Sequence, residues 1–356
     1  MTTDTRSGAG REDGGGTDDG GGRGPRAAVA PGPAPHLAAF HALHHDPGHP
    51  LLLPNAWDSA SALALADAGH PAIGTTSLGV AAVHGCPDGQ GSPEARAATL
   101  ALARQLAGRL RCPYTVDIEG GYGDDPEQVA ALAAELADCG AAGINLEDGL
   151  PGDGGLQDPI RQAELIRAVK ERTPGLFLNA RIDTHWLVDT PPPLSEALAR
   201  AETYVAAGAD GIFVPGVTAE AELAVLVGGI AAPLNVLFAP GRHTVRHLAD
   251  LGVRRISTGS LLFRTALGAA CAAADALRTS GARPTEAGGA TPTPTNGPVD
   301  DSGGAPAYDF GAVLAYGEVQ RLTGGGGDDR ADRADGGDHA DGGDGNAWRS
   351  QAADGS

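Results

Sequence analysis

Between residues 36 and 280 the chain repeats one pattern: a short apolar run, a loop, then a longer stretch whose apolar positions recur at helical spacing. The short runs predict eight strands, at Leu51–Asn55, Ala72–Ser77, Tyr114–Glu119, Gly143–Glu147, Leu176–Arg181, Gly211–Pro215, Leu234–Phe238 and Arg254–Thr258. The helices between them carry clear start signals. Ser92-Pro93, Asp125-Pro126 and Asp158-Pro159 each place a capping side chain before a proline in the first turn, and Gly140 stops the helix that starts at Pro126. Eight strand-helix units in this length predict an α/β fold of the closed (β/α)8 TIM-barrel type. An open doubly wound sheet is the runner-up, and the absence of a GxGxxG after the first strand counts against a dinucleotide-binding version of it.

Strand side chains alternate, and in a parallel barrel the helix-covered face is the apolar one, so the polar face points inward. In Tyr114–Glu119 the apolar set is Tyr114, Val116 and Ile118, leaving Thr115, Asp117 and Glu119 together. Asn145 and Glu147 share a face, as do Asn179 and Arg181, and Asn235 stands among apolar neighbours in the seventh strand. Asp117, Glu119, Glu147 and Arg181 fall at the C-terminal ends of their strands, where barrel active sites are built. Three carboxylates confined together repel and desolvate unless a cation or shared protons compensate. Oxygen-only ligands favour Mg²⁺ or Mn²⁺, and the simpler alternative is pairing with Arg181.

Composition bounds the rest. The chain has 356 residues, of which 55 are Gly and 26 Pro, and a formal net charge of −20. The Gly/Pro excess gathers in residues 1–35 and 281–356, which are expected to be disordered tails flanking a barrel domain at 36–280; the second tail is acidic, with a short helix suggested at 308–322 that docks on the body or on a neighbouring subunit. The negative charge argues against nucleic acid and anionic lipid as partners. Without a long apolar run or a secretion-signal pattern, a soluble cytoplasmic protein is expected. Cys86, Cys112, Cys139 and Cys271 are too dispersed for a zinc motif or a disulfide framework. Lys170 is the only lysine, so a Schiff-base mechanism would have to use it. Thr76-Ser77-Leu78-Gly79 is a candidate carboxylate-binding turn, Gly259-Ser260 a candidate phosphate cup, and His243 with His247 an exposed helical pair.

The segments LPNAWDSASA, TTSLGVAAVHGCPDGQG, YTVDIEGGYGDDP, CGAAGINLEDG, LFLNARID and GVRRISTGSLLFR, in this order over about residues 37–278, resemble the isocitrate lyase / phosphoenolpyruvate mutase superfamily. The resemblance implies a barrel whose C-terminal helix is exchanged between subunits of a homodimer or homotetramer, with a Mg²⁺-bound α-oxo acid or its enolate at the chemical centre. It further implies Asp117 as the direct Mg²⁺ ligand, with Glu119, Glu147 and Asp88 holding metal-bound water. Where Glu119 stands the family usually has Asp. Thr76, Ser77 and Leu78 would hold the substrate carboxylate and oxo group, and Arg181 and Arg264 match substrate-binding arginines; Asn235 joins this set as an inward polar group.

Two departures stand out. The lyases carry a Lys-Arg/Lys-Cys-Gly-His loop after strand four and the phosphonate mutases a Lys and an Asn there, whereas here the loop is Gly149 to Gly155 with none of these. Strand six ends Val214-Pro215-Gly216, where relatives offer His or Glu. The enolate-stabilising half is kept and the usual proton-transfer half is missing, with Asp153 and His185 as the substitutes at hand. The expected activity is a Mg²⁺-dependent carbon-carbon lyase acting on a small α-oxo or 2-hydroxy carboxylate. The alternatives are a mutase or hydrolase of phosphonopyruvate type and a non-catalytic oxo-acid-binding barrel.

Overall fold

The computed structural model describes residues 35–46, 48–151, 155–186, 190–279, 313–317 and 319. Most of the two expected tails, and Asp153 with them, lie outside the described residues. Among the described residues there are nine strands, β1 (Leu51–Leu53), β2 (Asn55–Ala56), β3 (Ile73–Thr75), β4 (Tyr114–Asp117), β5 (Gly143–Glu147), β6 (Phe177–Arg181), β7 (Gly211–Phe213), β8 (Leu234–Leu237) and β9 (Arg255–Ser257). All pairings are parallel, in the order β1-β9-β8-β7-β6-β5-β4-β3-β2. The strand expected at Leu51–Asn55 is split by Pro54, which has no N–H for a ladder. β1 pairs with β9 and β2 with β3, while the Pro54 carbonyl still accepts from Gly74 N at 2.9 Å, so the two halves close the ring that eight strands were expected to form.

The helices are α1 (Pro35–Leu43), α2 (Ser59–Asp67), α3 (Ser77–Val83), α4 (Pro93–Leu106), α5 (Pro126–Asp138), α6 (Pro159–Arg172), α7 (Leu194–Ala206), α8 (Glu220–Gly229), α9 (Val245–Asp250) and α10 (Leu261–Thr279). The expected caps form: Ser92 accepts from Ala95 N, Asp125 from Glu127 N, and Asp158 from Ile160 N and Arg161 N. The strand face carrying Val116, Ile118, Ile144, Leu146, Leu178 and Ala180 is buried against these helices, each of the Val, Ile and Leu side chains contributing about 1.5–3 kcal/mol. No helix among the described residues is long and apolar enough to cross a membrane.

α1, which the strand-helix rhythm did not anticipate, covers the N-terminal end of the barrel. Its Phe40 is fully buried against Phe177, and His44 just beyond it stacks on Phe177 at 3.9 Å. Burial there, with Arg255 nearby, pushes the His44 pKa down to about 3, so its ring is neutral. Above this floor the barrel interior is polar. Asn145 Oδ1 accepts from Asn179 Nδ2 and from Arg255 Nη2, both at 3.0 Å, and Arg255 Nε donates to Ser257 Oγ. Arg255 is completely buried, which lowers its pKa to about 9 against the opposing pull of Asp117. One buried guanidinium thus stands beneath the acidic mouth.

Candidate active site

Four carboxylates, Asp88, Asp117, Glu119 and Glu147, meet beyond the C-terminal ends of β3 to β5, and the charge of Asp117 bears on each of the other three. Asp117 ends β4; its N–H donates to Thr75 Oγ1 at 2.9 Å, and its carboxylate takes the N–H and hydroxyl of Ser77 at the start of α3. Beyond Asp117 the β4 alternation stops. Glu119 has φ of 49°, in the left-handed region that costs a side-chain-bearing residue energy, and this turn rather than strand geometry brings its carboxylate into the chamber. Glu119 Oε2 accepts from Gly91 N at 3.0 Å, while Oε1 is buried with no hydrogen-bond partner. Burial first, then Asp88 and Asp117, raise its pKa to about 8. Burial also raises Asp88, Asp117 and Glu147, with Arg181 pulling each of them back.

Arg181 is the cation of this group. Its Nη1 lies 2.7 Å from Glu147 Oε2 and its Nε donates to Asp183 Oδ1 at 2.6 Å. Burial works against the guanidinium charge, but Asp183, Glu147 and Asp117 outweigh it and hold Arg181 above its usual pKa. The same guanidinium lies 5.5 Å from the Trp186 ring centroid and 5.8 Å from that of Phe213. Behind it stands a fully buried strut: Asp148 accepts from Asp183 N at 2.8 Å, Tyr204 Oη at 2.7 Å and Arg200 Nη1 at 3.0 Å. A cavity of about 300 Å³ opens beside the carboxylates, bordered by Glu119, Tyr122, Glu147, Leu150, Gln157 and Gln162.

The residues expected at the site fall into different places. Asp88, Asp117, Glu119, Glu147, Arg181 and Ser77 come together. They do not form a ready-made cage: Glu147 is turned onto Arg181 and Asp88 onto Tyr316, and among the described residues no group of three or more His, Cys, Asp or Glu stands arranged to hold a metal ion directly. Thr76 and Leu78 are buried at the same turn. Asn235 exchanges hydrogen bonds with Ser257 in the barrel interior, its amide donating to Ser257 Oγ at 3.1 Å. Arg264 Nη1 donates to the Leu314 carbonyl at 2.9 Å. His185 shares a 2.8 Å hydrogen bond with Thr184; burial lowers its pKa, and the charges acting on it are Glu222 and Glu196, not the four carboxylates. Lys170 is held by Asp210 at 2.7 Å and by the carbonyls of Leu176 and Pro174, next to the strand starts rather than the mouth.

Three participants lie outside the set expected from the sequence. Asp183 is two residues beyond Arg181, so the alternation rule applied to Arg181 would have found it. Asp148, next to Glu147, is sent by alternation to the helix side, where a buried acid needs the distant Arg200 and Tyr204. Tyr316 lies in the 308–322 stretch whose apolar spacing suggested a docking helix, and its described residues do pack on the barrel, but that spacing does not tell which side chain reaches the site.

Comparisons with known proteins agree with this geometry. A sequence profile described as phosphoenolpyruvate phosphomutase matches residues 40–278. An uncharacterized protein of Mycobacterium tuberculosis is 47% identical over 242 residues, which are 67% of this chain and 88% of that one. The 2-methylisocitrate lyase of Bacillus subtilis is 32% identical over 191 residues, 52% of this chain and 61% of the enzyme. Among solved structures, a Burkholderia cenocepacia protein assigned as a phosphonomutase superposes with a TM-score of 0.64 at 38% identity, covering 67% of this chain and 99% of its own. The barrel, its acidic mouth and the profile that spans both make this chain a member of the phosphoenolpyruvate phosphomutase family, within the PEP mutase/isocitrate lyase superfamily of lyases and mutases.

Proposed function

We infer that the protein is a divalent-cation-dependent, lyase-type enzyme that breaks or forms a carbon-carbon bond in a small α-oxo or 2-hydroxy carboxylate. The observation that carries this reading is the buried cluster of Asp88, Asp117, Glu119 and Glu147 around Arg181. Burial raises the pKa of every one of these acids, and Glu119 Oε1 is buried with no partner, so the chamber offers more acceptor capacity than its own donors use. That excess fits a hard cation such as Mg²⁺ or Mn²⁺, held by one or two carboxylates with the others reached through water. When bound, the ion would act as a Lewis acid toward the oxo acid.

The chain's own groups supply the remainder. The N–H and hydroxyl of Ser77 hold the Asp117 carboxylate and so fix its direction in the chamber. Arg181, fixed by Glu147 and Asp183, sets a rigid positive charge where negative charge develops on the oxo-acid fragment as the bond breaks. Trp186 and Phe213 shield that charge from water. The relatives named as 2-methylisocitrate lyase and oxaloacetate decarboxylase both act on carboxylates of this kind, which supports the substrate class. We expect a homodimer or homotetramer as the working form.

The test is thermal unfolding with Mg²⁺ and a panel of oxalate, pyruvate, oxaloacetate, phosphonopyruvate and 2-methylisocitrate, with products read by NMR wherever a ligand stabilises. A rise in Tm that needs both cation and oxo acid, with product formed, supports the reading. Stabilisation without turnover of any acid leaves a binding protein instead, and no stabilisation by any pair rejects the site.

A further inference from the structure

The C-terminal segment enters the acidic chamber. Tyr316 Oη donates to Asp88 Oδ2 at 2.6 Å, and its ring meets Trp186 edge-on, with centroids 6.2 Å apart and planes at 88°. Trp186 in turn faces Arg181, so Arg181, Trp186 and Tyr316 form a continuous wall. Two further contacts hold the segment down. Arg264 Nη1 and Leu314 O are 2.9 Å apart, and Val319, only 1% exposed, packs with Leu78 and Phe263. The arginine matched by resemblance to substrate binding is therefore the clamp for this segment, and Leu78, expected in the substrate turn, is its floor.

A phenol in this position has a specific chemical value. The chamber is crowded with acceptors, whereas Tyr316 brings a neutral donor on a rigid, bulky ring. Burial and the neighbouring Asp88 raise its pKa well above the usual phenol value, which keeps the hydroxyl protonated and donating. The ring also fills volume between Asp88 and Trp186 at the edge of the carboxylate cluster.

Building on the functional reading above, we propose that Tyr316 is a substrate-positioning and specificity-determining residue: its hydroxyl, held by Asp88 in the free protein, turns to donate its one proton to an oxygen of the bound oxo acid, and its ring limits the site to short substituents. Two substitutions separate the roles. Tyr316→Phe keeps the wall and loses the donor; Tyr316→Ala loses both. The probes are oxalate, pyruvate, 2-oxobutanoate, 3-methyl-2-oxobutanoate and phenylpyruvate, each with Mg²⁺, their affinities measured by calorimetry on the full chain. Tyr316→Phe is expected to weaken the small acids about tenfold with the size ranking kept. Tyr316→Ala is expected to reverse the ranking toward the branched and aromatic acids. Affinities that fall equally across the series in both variants, or do not change, overturn the proposal, since a merely structural tyrosine would leave the ranking alone.

A ligand-independent measurement separates this inference from the functional reading. Acylation of tyrosines with N-acetylimidazole, mapped by mass spectrometry, should spare Tyr316 in the native chain relative to the urea-unfolded chain. Tyr316 modified freely in a native chain that binds oxo acids overturns this inference and leaves the functional reading intact. A protected Tyr316 in a chain that binds none of them overturns the functional reading, and the substrate role of Tyr316 falls with it.

Discussion

Glu147 and Arg181 are direct cross-strand partners in the parallel β5–β6 ladder, and their side chains close an ion pair of 2.7 Å at the barrel mouth. Arg181 also binds Asp183 at 2.6 Å, so one guanidinium neutralises two buried acids. Removing it strands both. Arg181→Met is expected to destabilise the fold by about 3–5 kcal/mol, because breaking a buried pair from one side leaves the desolvation cost uncompensated. Urea denaturation checks this, and the loss should shrink at acid pH as Glu147 and Asp183 protonate. A loss that does not depend on pH would mean that packing on Trp186 and Phe213, not charge, is what Arg181 contributes.

The same electrostatics predict how stability follows pH. Glu119 has its pKa raised from 4.5 to about 8 in the folded state. Between those values the native protein holds a proton that the unfolded chain has lost, so this contribution is full below pH 4.5 and disappears as pH rises through 8. Asp88, Asp117 and Glu147 shift in the same direction. The cation-free protein should therefore lose stability from pH 5 to 8, and Glu119→Gln should flatten the slope. A saturating divalent cation should flatten it as well, by replacing the protons. The observable is Tm against pH with and without Mg²⁺.

Asp148 tests the strut behind the site. It is fully buried and serves Asp183 N, Tyr204 and Arg200 at once. Asp148→Asn keeps the shape and removes the charge, leaving Arg200 with Glu196 at 3.3 Å as its remaining carboxylate. A cost of about 3 kcal/mol is expected, seen as a lower urea midpoint at unchanged m. Because Asp148 holds the backbone N–H of Asp183, which orients Arg181, the variant should also bind oxo acids more weakly. Full stability in Asp148→Asn would show that the strut is redundant.

How far the sequence carried depended on the range of the interaction. Strand alternation placed Asp117, Glu147 and Arg181 correctly, because a side chain's face follows from its own position in a regular ladder. It brought Glu119 to the same chamber for a different reason, since the left-handed turn at Glu119 replaces the last strand step. Pro54 was visible in the sequence, yet its splitting of the first strand between β9 and β3 depends on closure of the whole barrel. Asn235 points inward as alternation required, but whether it meets substrate or Ser257 depends on β9. Arg264 and Tyr316 were beyond reach for the same reason: their partners, Leu314 and Asp88, are 50 and 228 residues away in sequence.

Gly216 sits just beyond β7 in a turn packed against the His185 backbone. Its φ is 86°, and a Cβ there would collide with the carbonyl oxygen of His185. Gly85 provides the control, with φ of 70° and no atom within 4 Å of the place a Cβ would take. Both positions incur the left-handed backbone cost of about 1 kcal/mol on substitution by alanine, but only Gly216→Ala must also displace backbone. The expected result is a small fall in Tm for Gly85→Ala and a loss at least twofold larger in free energy for Gly216→Ala, measured side by side. It follows that grafting His onto position 216 would distort the His185 turn rather than restore a proton-transfer group. Equal costs at the two glycines would mean that the His185 turn yields easily, and the position would then be open to a larger side chain.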